Sequence, residues 1–408
     1  MIGARVATAQ GRRLRIAFVA DVMENALGGG VVSGQRFVQG LRAEHDVVVV
    51  STGAPGPDRV TLRGFQLPLH AMRAQGFRFA LPDRTRLAAA FRDVDVVHLQ
   101  HPFWLAFVAL DEARKAGKPV VAAFHVQPEN LLYNIGVRSP RLASLLYRGW
   151  VRGLYDRADA VVCPSRFAER KLREHGLTAP TVVVSNGTVA AFRRRPALRE
   201  ARVADGTFEI LMVGRLAVEK RQDLLFEAMR RSRHRDRLRV VLAGAGPRET
   251  ALRAAAARLP HPPRIGWIPD HELERCYNTA DLMVHASEIE LEGMAVLEGM
   301  SCGLPALVAD SPESAATQFA LGPEFLFRPG DADDLTRHID WLVDHPDELV
   351  RARDRAAELS RGYSFERSLE RLVALYRELV PPPGTVRDVA VQPGRPRRPS
   401  AIRLDQAS

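Results

Sequence analysis

The run Phe208-Glu209-Ile210-Leu211-Met212-Val213-Gly214-Arg215-Leu216-Ala217-Val218-Glu219-Lys220, with the helical stretch Gln222–Arg231 behind it, decides how the chain is read. Its first six residues are almost continuously apolar, as in a parallel strand buried on both faces, and a glycine ends them. It restarts a pattern. Before it, apolar runs at Arg15–Ala20, Asp46–Ser51, Val94–Leu99, Pro119–Phe124, Ala160–Cys163 and Thr181–Val184 predict strands, with helices such as Val32–Glu44 and Phe103–Ala116 between them. After it, strands are expected at Leu238–Ala243, Arg264–Ile265, Leu282–His285 and Ala306–Val308. Helices are expected at Arg248–Arg258, His271–Thr279, Met294–Cys302 and Asp333–Asp344. Such alternation predicts doubly wound α/β sheets. A chain of 408 residues is too long for one core, so the fold class is α/β with two Rossmann-like domains facing across a cleft.

Turn-forming residues between Asn186 and Gly206 mark the division. The expected segments are a flexible start at 1–14, a first domain at 15–190, a linker at 191–206 and a second domain at 207–362. A last helix, Phe365–Leu379, falls within 363–380. Residues 381–408 open with Pro-Pro-Pro-Gly and read as a disordered tail.

Composition excludes several classes. Hydrophobic residues are 46% and charged residues 26%, values that fit a soluble globular chain rather than a membrane-embedded or disordered one. No apolar run is long enough to span a bilayer, and Met1–Arg15 lacks the core of a signal peptide. Cys163, Cys276 and Cys302 are scattered, which suggests a reducing cytoplasm and neither a disulfide framework nor a zinc cluster. Residues 1–200 carry a net +13 and the remainder −3. A basic first half suits an anionic lipid surface, and equally an ordinary arginine-rich face. The chain has only four lysines, so Lys220 beside Gly214-Arg215 stands out.

The chemistry-bearing residues lie at strand ends. Gly28-Gly29-Gly30 follows the first strand and precedes a helix, where free N–H groups attract anions; its spacing is not the dinucleotide fingerprint. Arg215 and Lys220 flank one loop and suit a diphosphate leaving group; a solvated pair, with Lys220 bound to a nearby acid, is the plain alternative. Glu290 and Glu298 stand with seven residues between them, Glu298 inside the helix Met294–Cys302. Carboxylates accept well from vicinal hydroxyls, which both ribose and a hexose offer. Alternatively, a buried glutamate takes an arginine partner. His125 closes the strand Pro119–Phe124. His98, Gln100 and His101 end the preceding one, without the spacing of a metal site. Two acids, two cations and helix starts suit a molecule with hydroxyls at both ends and a diphosphate between: a nucleotide sugar.

Together these pieces resemble the retaining glycosyltransferases of family 4, which have the GT-B fold. The matching segments are Gly28-Gly29-Gly30, Phe124-His125, Cys163-Pro164-Ser165, Ser185-Asn186-Gly187, Gly214-Arg215 with Glu219-Lys220, Gly244-Ala245-Gly246-Pro247, Gly266-Trp267-Ile268 and the glutamate pair, from Arg15 to about Leu379. The resemblance implies that Gly29, Gly30, Gly214, Arg215 and Lys220 hold the donor diphosphate. It implies that Glu290 meets the transferred sugar, Glu298 the ribose, and that His125 lies beside the reacting centre. Gly246, Trp267 and Ile268 would form the base pocket, and Gly293, Met294 and Ala295 complete the donor site. Catalytic roles fall to His125, Arg215, Lys220 and Glu290. No metal or cofactor is implied; the co-substrate expected is UDP-glucose or GDP-mannose. The last helix is expected to cross back to the first domain. Where many members carry Gly-aromatic-Gly after the first glutamate, this chain has Leu291-Glu292-Gly293-Met294, which makes Glu292 a rival that the spacing to Glu298 disfavours. The runs Glu288–Met294 and Phe124–Asn130 look like the branch of diacylglycerol and other glycolipid glucosyltransferases.

The expected acceptor site is the first domain near His101, Gln127, Glu129 and Asn130. Phe65–Phe91 mixes apolar residues with Arg73, Arg78, Arg84 and Arg86, and with Arg63 just before it, and Arg138–Arg157 sets Tyr147, Trp150 and Tyr155 among five more. Such surfaces suit a membrane interface holding a lipid acceptor, or else a helix that covers a core. The expected partners are therefore the nucleotide-sugar donor, an anionic membrane surface and a lipid acceptor, and the expected location is the cytoplasm, peripheral to the inner face of the plasma membrane. The rivals are a nucleotide-sugar epimerase or hydrolase on the same fold, a nicotinamide dehydrogenase, and a nucleic-acid binder. The last leaves the two glutamates unexplained, since acids repel phosphate backbones.

Overall fold

The computed structural model describes residues 12–24, 28–67, 76–200 and 206–380. The expectations for most of the flexible start, for 68–75 within the basic stretch, for 201–205 of the linker and for the tail at 381–408 lie outside the described residues.

In the first domain, strands β1 (Arg15–Val19), β2 (Asp46–Ser51), β3 (Arg59–Thr61), β6 (Val96–Leu99), β7 (Val120–Ala123), β8 (Ala160–Cys163) and β9 (Thr181–Val183) form one parallel sheet in the order β3-β2-β1-β6-β7-β8-β9. A short antiparallel hairpin, β4 (Gly64–Phe65) with β5 (Phe79–Ala80), stands apart from it. The second sheet runs β12-β11-β10-β13-β14-β15, from β10 (Phe208–Val213), β11 (Leu238–Ala243), β12 (Arg264–Gly266), β13 (Leu282–His285), β14 (Ala306–Ala309) and β15 (Leu326–Phe327). In each sheet the order reverses beside the first strand, between β1 and β6 and between β10 and β13. Ligands of open α/β sheets bind at that switch point, outside the carboxyl ends.

Both faces of each sheet are covered. Ile16 and Phe18 join the core on one side of the first sheet while Ala17 and Val19 join the other. Ile210 and Met212 are divided from Leu211 in the same way. A strand buried on both sides has no polar alternation, hence the continuous apolar runs.

The helix Phe365–Leu379 packs against the first domain, with Leu372, Leu375 and Tyr376 buried among Ile16, Phe18 and Val38. Its start is locked by a bracket in which Thr188 N–H donates to Tyr363 O (2.8 Å) and Phe365 N–H to Thr188 O (3.0 Å). Gly187 makes this possible. Its φ is +68°, and a Cβ there would stand 2.6 Å from the Phe365 Cα.

Three expectations change. Helix formation begins at Gly29 itself, so two of the three glycines are the first turn rather than a loop before it. Tyr147, Trp150 and Tyr155 do not face outward: they are buried core residues. The 3.6-residue period of helix Pro140–Gly153 turns Ala143, Tyr147, Trp150 and Val151 inward and leaves Arg141, Arg148 and Arg152 outside with Leu142 and Leu145. The elements that went unread include β3, the β4–β5 hairpin, β15 and helices Arg84–Phe91, Pro128–Asn134, Arg166–Glu174, Pro196–Glu200 and Pro346–Ser360; three- or two-residue edge strands carry no period to read. No helix among the described residues is long and apolar enough to cross a membrane.

Replacing Gly187 by alanine is expected to cost about 2 kcal/mol or more, from the left-handed backbone and the clash with Phe365 together. Denaturant unfolding curves of the variant and the parent measure it.

Candidate active site

Two helix starts meet across the cleft. Helix Gly29–Arg42 leaves the β1 loop, and helix Met294–Ser301 follows the loop after β13. Neither has a side-chain cap nor an acid in its first turn, so their leading N–H groups keep the positive end of the helix dipole. A Cβ on Gly29 would stand 3.7 Å from Met294 Sδ, and one on Gly30 3.2 Å from His125 Cβ. Any larger residue would fill this space. Gly293 enters its helix at φ +100° against Ala316.

The cations flank this gap. Arg215 donates to Glu219, which is buried (2.7 Å), and reaches Asn130 Oδ1 of the first domain (3.4 Å). Lys220 is ion-paired with Glu290. Burial pushes the Glu290 carboxyl up, but Lys220 above all, then His285 and Arg215, outweigh it and hold it below the usual range. The plain alternative was therefore partly right: each cation has an acid partner. Yet neither is a solvated surface pair, because both side chains are mostly buried at the cleft. His285 Nε2 lies 3.7 Å from Glu290 and has no hydrogen-bond partner; burial lowers its pKa to about 4, so it is neutral. Arg221 takes φ +53° to turn the chain into helix Gln222–Arg231, and that turn brings Lys220 back toward Glu290.

Glu298 is buried and paired with Arg36 of the first domain (2.9 Å), and it accepts from Tyr277 OH (3.2 Å). Burial raises its pKa against the pull of Arg36. Glu292, the rival acid, sits elsewhere. Its carboxylate accepts from Ser185 Oγ and from the backbone N–H and side-chain amide of Asn186, so it joins the domains instead of entering the cleft. Burial pushes its pKa to about 7.

The four acceptor-side residues separate. His101 and Asn130 line a cleft of about 140 Å³ together with Gly28, Gly29, Gly30, His125 and Arg215. Glu129 lines a different cleft, about 580 Å³, on the other side of helix Pro128–Asn134, and accepts from Tyr147 OH (3.0 Å). Gln127 is buried and donates to Glu313 O of the second domain (3.1 Å), a domain contact. Of the expected base pocket, Trp267 is the exposed member, at 68%, while Ile268 is core. Gly246 is required by packing, since a Cβ there would stand 2.5 Å from Leu216 O. Gly214 lies one strand from Gly244, whose Cβ would stand 1.9 Å from the Gly214 O.

A buried chain of hydrogen bonds reaches the glycine helix from the last helix. Tyr376 OH meets His98 Nδ1 (2.7 Å), His98 Nε2 meets Gln100 Oε1 (3.1 Å), and Gln100 Nε2 donates to Gly30 O (2.9 Å). Gly30 O can only accept, so the amide must present its oxygen to His98, which is then the Nε2–H tautomer with Tyr376 as donor. Burial keeps His98 neutral, with a pKa of about 4. Arg36, Tyr277, His285 and Tyr376 were not read from the sequence; the partners of Arg36, Tyr277 and Tyr376 are far along the chain, and no motif spacing marks His285.

Asp21, just past β1, is buried and accepts from the Ala80 N–H (3.0 Å), holding the β4–β5 hairpin to the cleft edge.

Residues 27–192 match the family described as Glycosyltransferase Family 4, and residues 194–359 that described as Glycosyl transferases group 1. The chain is 24% identical over 259 residues to an alpha-monoglucosyldiacylglycerol synthase of Streptococcus pneumoniae, covering 60% of this chain and 58% of that one. It is 29% identical over 334 residues to a sulfoquinovosyl transferase of Arabidopsis thaliana, covering 76% and 62%. Both alignments span less than two thirds of the relative's length. Anabaena HepE, solved with UDP-glucose, superposes with a TM-score of 0.71 at 17% identity over 90% of this chain and all of that one. That likeness establishes the two-domain GT-B architecture.

Burial raises the Asp21 carboxyl from 3.8 to about 7. A raised folded pKa favours folding fully at low pH, and that contribution is lost as pH climbs from about 4 to 7. Asp21→Asn is expected to flatten this part of the profile, so that its stability relative to the parent rises between pH 4 and 8, leaving the slope from Glu292 in place. Denaturation midpoints across that range measure it.

Proposed function

We propose, from the premise that residues 27–192 belong to glycosyltransferase family 4 and residues 194–359 to the glycosyl transferases group 1 family, that this protein moves a hexose from a nucleotide diphosphate sugar to an acceptor hydroxyl with retention of anomeric configuration. The observation that carries the reading is the convergence of two uncapped helix starts, Arg215 and Lys220 on one gap.

Diphosphate departure builds negative charge. Arg215, Lys220 and the N–H groups at Gly29, Gly30, Met294 and Ala295 are aimed where that charge forms, and a mostly buried site strengthens them. The cations supply this charge without a metal. Glu290, ionised and held by Lys220, accepts from the sugar hydroxyls. Burial first, then His101 and His98, press the His125 pKa to about 3, so it meets the sugar as a neutral hydrogen-bond partner rather than an acid. As the bond from the anomeric carbon to the phosphate oxygen breaks, the sugar becomes oxocarbenium-like. The acceptor oxygen forms its bond on the same face and passes its proton to the departing phosphate oxygen. Glu298 is assigned to the ribose, which then shares or displaces Arg36, and Trp267 to the base. UDP-glucose and GDP-mannose remain the donors to compare. The epimerase or hydrolase reading would require turnover of the donor alone.

For the acceptor, a lipid or glycolipid is the reading, presented at an anionic membrane on the cytoplasmic side. The exposed Arg141, Arg148 and Arg152 with Leu142 and Leu145 support it.

Arg215→Ala and Lys220→Ala are each expected to weaken donor binding and lower kcat/KM about 10²–10³-fold. Calorimetry with UDP-glucose and GDP-mannose, and NMR of the product's anomeric proton, read this out; an inverted product rejects the mechanism. Arg215→Ala orphans the buried Glu219, at about 3–5 kcal/mol, and Lys220→Ala the part-buried Glu290, so unfolding curves are needed alongside. On anionic vesicles, binding should be present at low salt and fade as the screening length shrinks from about 30 Å at 0.01 M to about 8 Å at 0.15 M. Changing Arg141, Arg148 and Arg152 to Glu should abolish it; sedimentation with vesicles decides.

A further inference from the structure

The donor machinery is charged and lies mainly in the second domain. The first domain answers it with an aromatic wall. Phe79 of the β4–β5 hairpin packs against Phe65 (ring centres 5.6 Å apart), Phe77 (5.1 Å) and Phe103 (5.1 Å). Phe77 also meets Phe103 (5.5 Å) and His101 (5.9 Å). Phe77, Phe79 and Phe103 line the same cleft as Gly28–Gly30, His125 and Arg215. From there the apolar surface runs outward over Phe65, Leu67, Leu81 and Trp104, each more than a third exposed, with Trp104 at 58%. Contiguous exposed apolar surface of this kind marks a binding site.

We infer that this wall holds the apolar portion of the acceptor, a hydrocarbon chain or fused ring adjoining the reacting hydroxyl. The inference rests on the reading of the cleft as a glycosyl-transfer site and adds the place where the acceptor's apolar portion is held. Three observations support it. First, Phe77, Phe79 and Phe103 line the same cleft as the polar His101, His125, Asn130 and Arg215, so a molecule whose hydroxyl reaches the glycine loop can lay an adjoining apolar portion on the three phenylalanines. Second, at about 140 Å³ the cleft is below the ~300–1,000 Å³ that encloses a drug-sized ligand. It encloses the reacting end only, and the remainder must continue over the outer residues. Third, the wall is preformed. Asp21 accepts from Ala80 N–H, Leu81 N–H donates to Arg63 O (2.7 Å), and Gln66 Nε2 donates to Phe77 O (3.4 Å). Preformed apolar surface binds without an ordering cost.

Trp104 provides the reporter. The intact protein is titrated with a monoacylglycerol carrying a nitroxide on its chain and, in parallel, with a nitroxide-labelled sterol, each below its aggregation threshold. Quenching of Trp104 fluorescence is read against Trp104→Phe, which should lose it. Saturable quenching by at least one probe is expected, and whichever binds more tightly distinguishes chain from ring. Phe79→Ala and Phe103→Ala should weaken that binding about 10–100-fold, the loss of one buried aromatic ring. Phe65→Asp, at the exposed lip and outside the core, should weaken a long-chain probe and spare a short-chain one. Nucleotide-sugar binding by calorimetry should stay unchanged in all of them. No quenching by either probe, or equal quenching in the parent and the wall variants, overturns the inference. Absence of donor binding in the parent would instead reject the transfer reading and leave the wall measurement standing.

Discussion

The whole cleft depends on one buried carboxylate at the seam between the domains. Glu292 lies where the second sheet's loop enters helix Met294–Ser301, and its oxygens are taken up by Ser185 and Asn186 of the first domain. Ser33, on the glycine helix, donates to the Asn186 side chain. Through these contacts the two helix starts are set against each other. Among the described residues no cation is ion-paired with Glu292, and burial first, with the Glu290 charge beside it, pushes its pKa to about 7. A carboxylate in such a place is tolerated only because hydrogen bonds replace its water. Further contacts repeat the arrangement around it: Ser165 donates to Leu291 O (2.6 Å), Gln127 to Glu313 O, and Lys171 pairs with Glu313.

Within the seam the charges come in pairs. Arg215 with Glu219, Lys220 with Glu290 and Arg36 with Glu298 each hold a cation and an acid with little water. A buried pair is weak evidence for stability, because desolvation offsets much of the attraction. Here the pairs have a second consequence. They keep cations oriented toward a gap that is otherwise lined by uncapped N–H groups, so the site is arranged before any anion arrives. Preorganisation of this kind is what electrostatic catalysis requires.

The fold was largely legible. The strands Asp46–Ser51, Ala160–Cys163, Phe208–Val213, Leu238–Ala243 and Leu282–His285 agree end for end with the apolar runs, because a strand buried on both faces must be apolar throughout. The site was legible in part. Residues at strand ends, such as His125, Arg215 and Lys220, could be placed because parallel sheets bring those ends to one rim. Glu292 was kept as a rival to Glu290 that the spacing to Glu298 disfavoured, and its carboxylate is taken up by Ser185 and Asn186 instead. Residues two apart would share a face in an extended chain, but the chain bends at Leu291 and Glu292 after the bridge from Glu290 to Ser314, and the two carboxylates diverge. Of the two readings of Arg138–Arg157, the aromatics follow the helix that covers a core: composition showed aromatic and basic residues together, while the helical turn sent the aromatics inward and the arginines out.

By itself the sequence determined the alternation of strands and helices, the doubling of that pattern, and which strand ends carry cations, acids and glycines. These depend on local period and on residues close together along the chain. Only the tertiary structure decided which acid faces which cation, that Arg36 reaches Glu298 across the cleft, that Tyr376 supports Gly30 through His98 and Gln100, and that Phe77, Phe79 and Phe103 form one wall. Apart from Arg215 with Glu219 and Phe77 with Phe79, these contacts join residues with long stretches of chain between them. Their energies come from burial and hydrogen-bond geometry after the domains meet, and no local spacing encodes that.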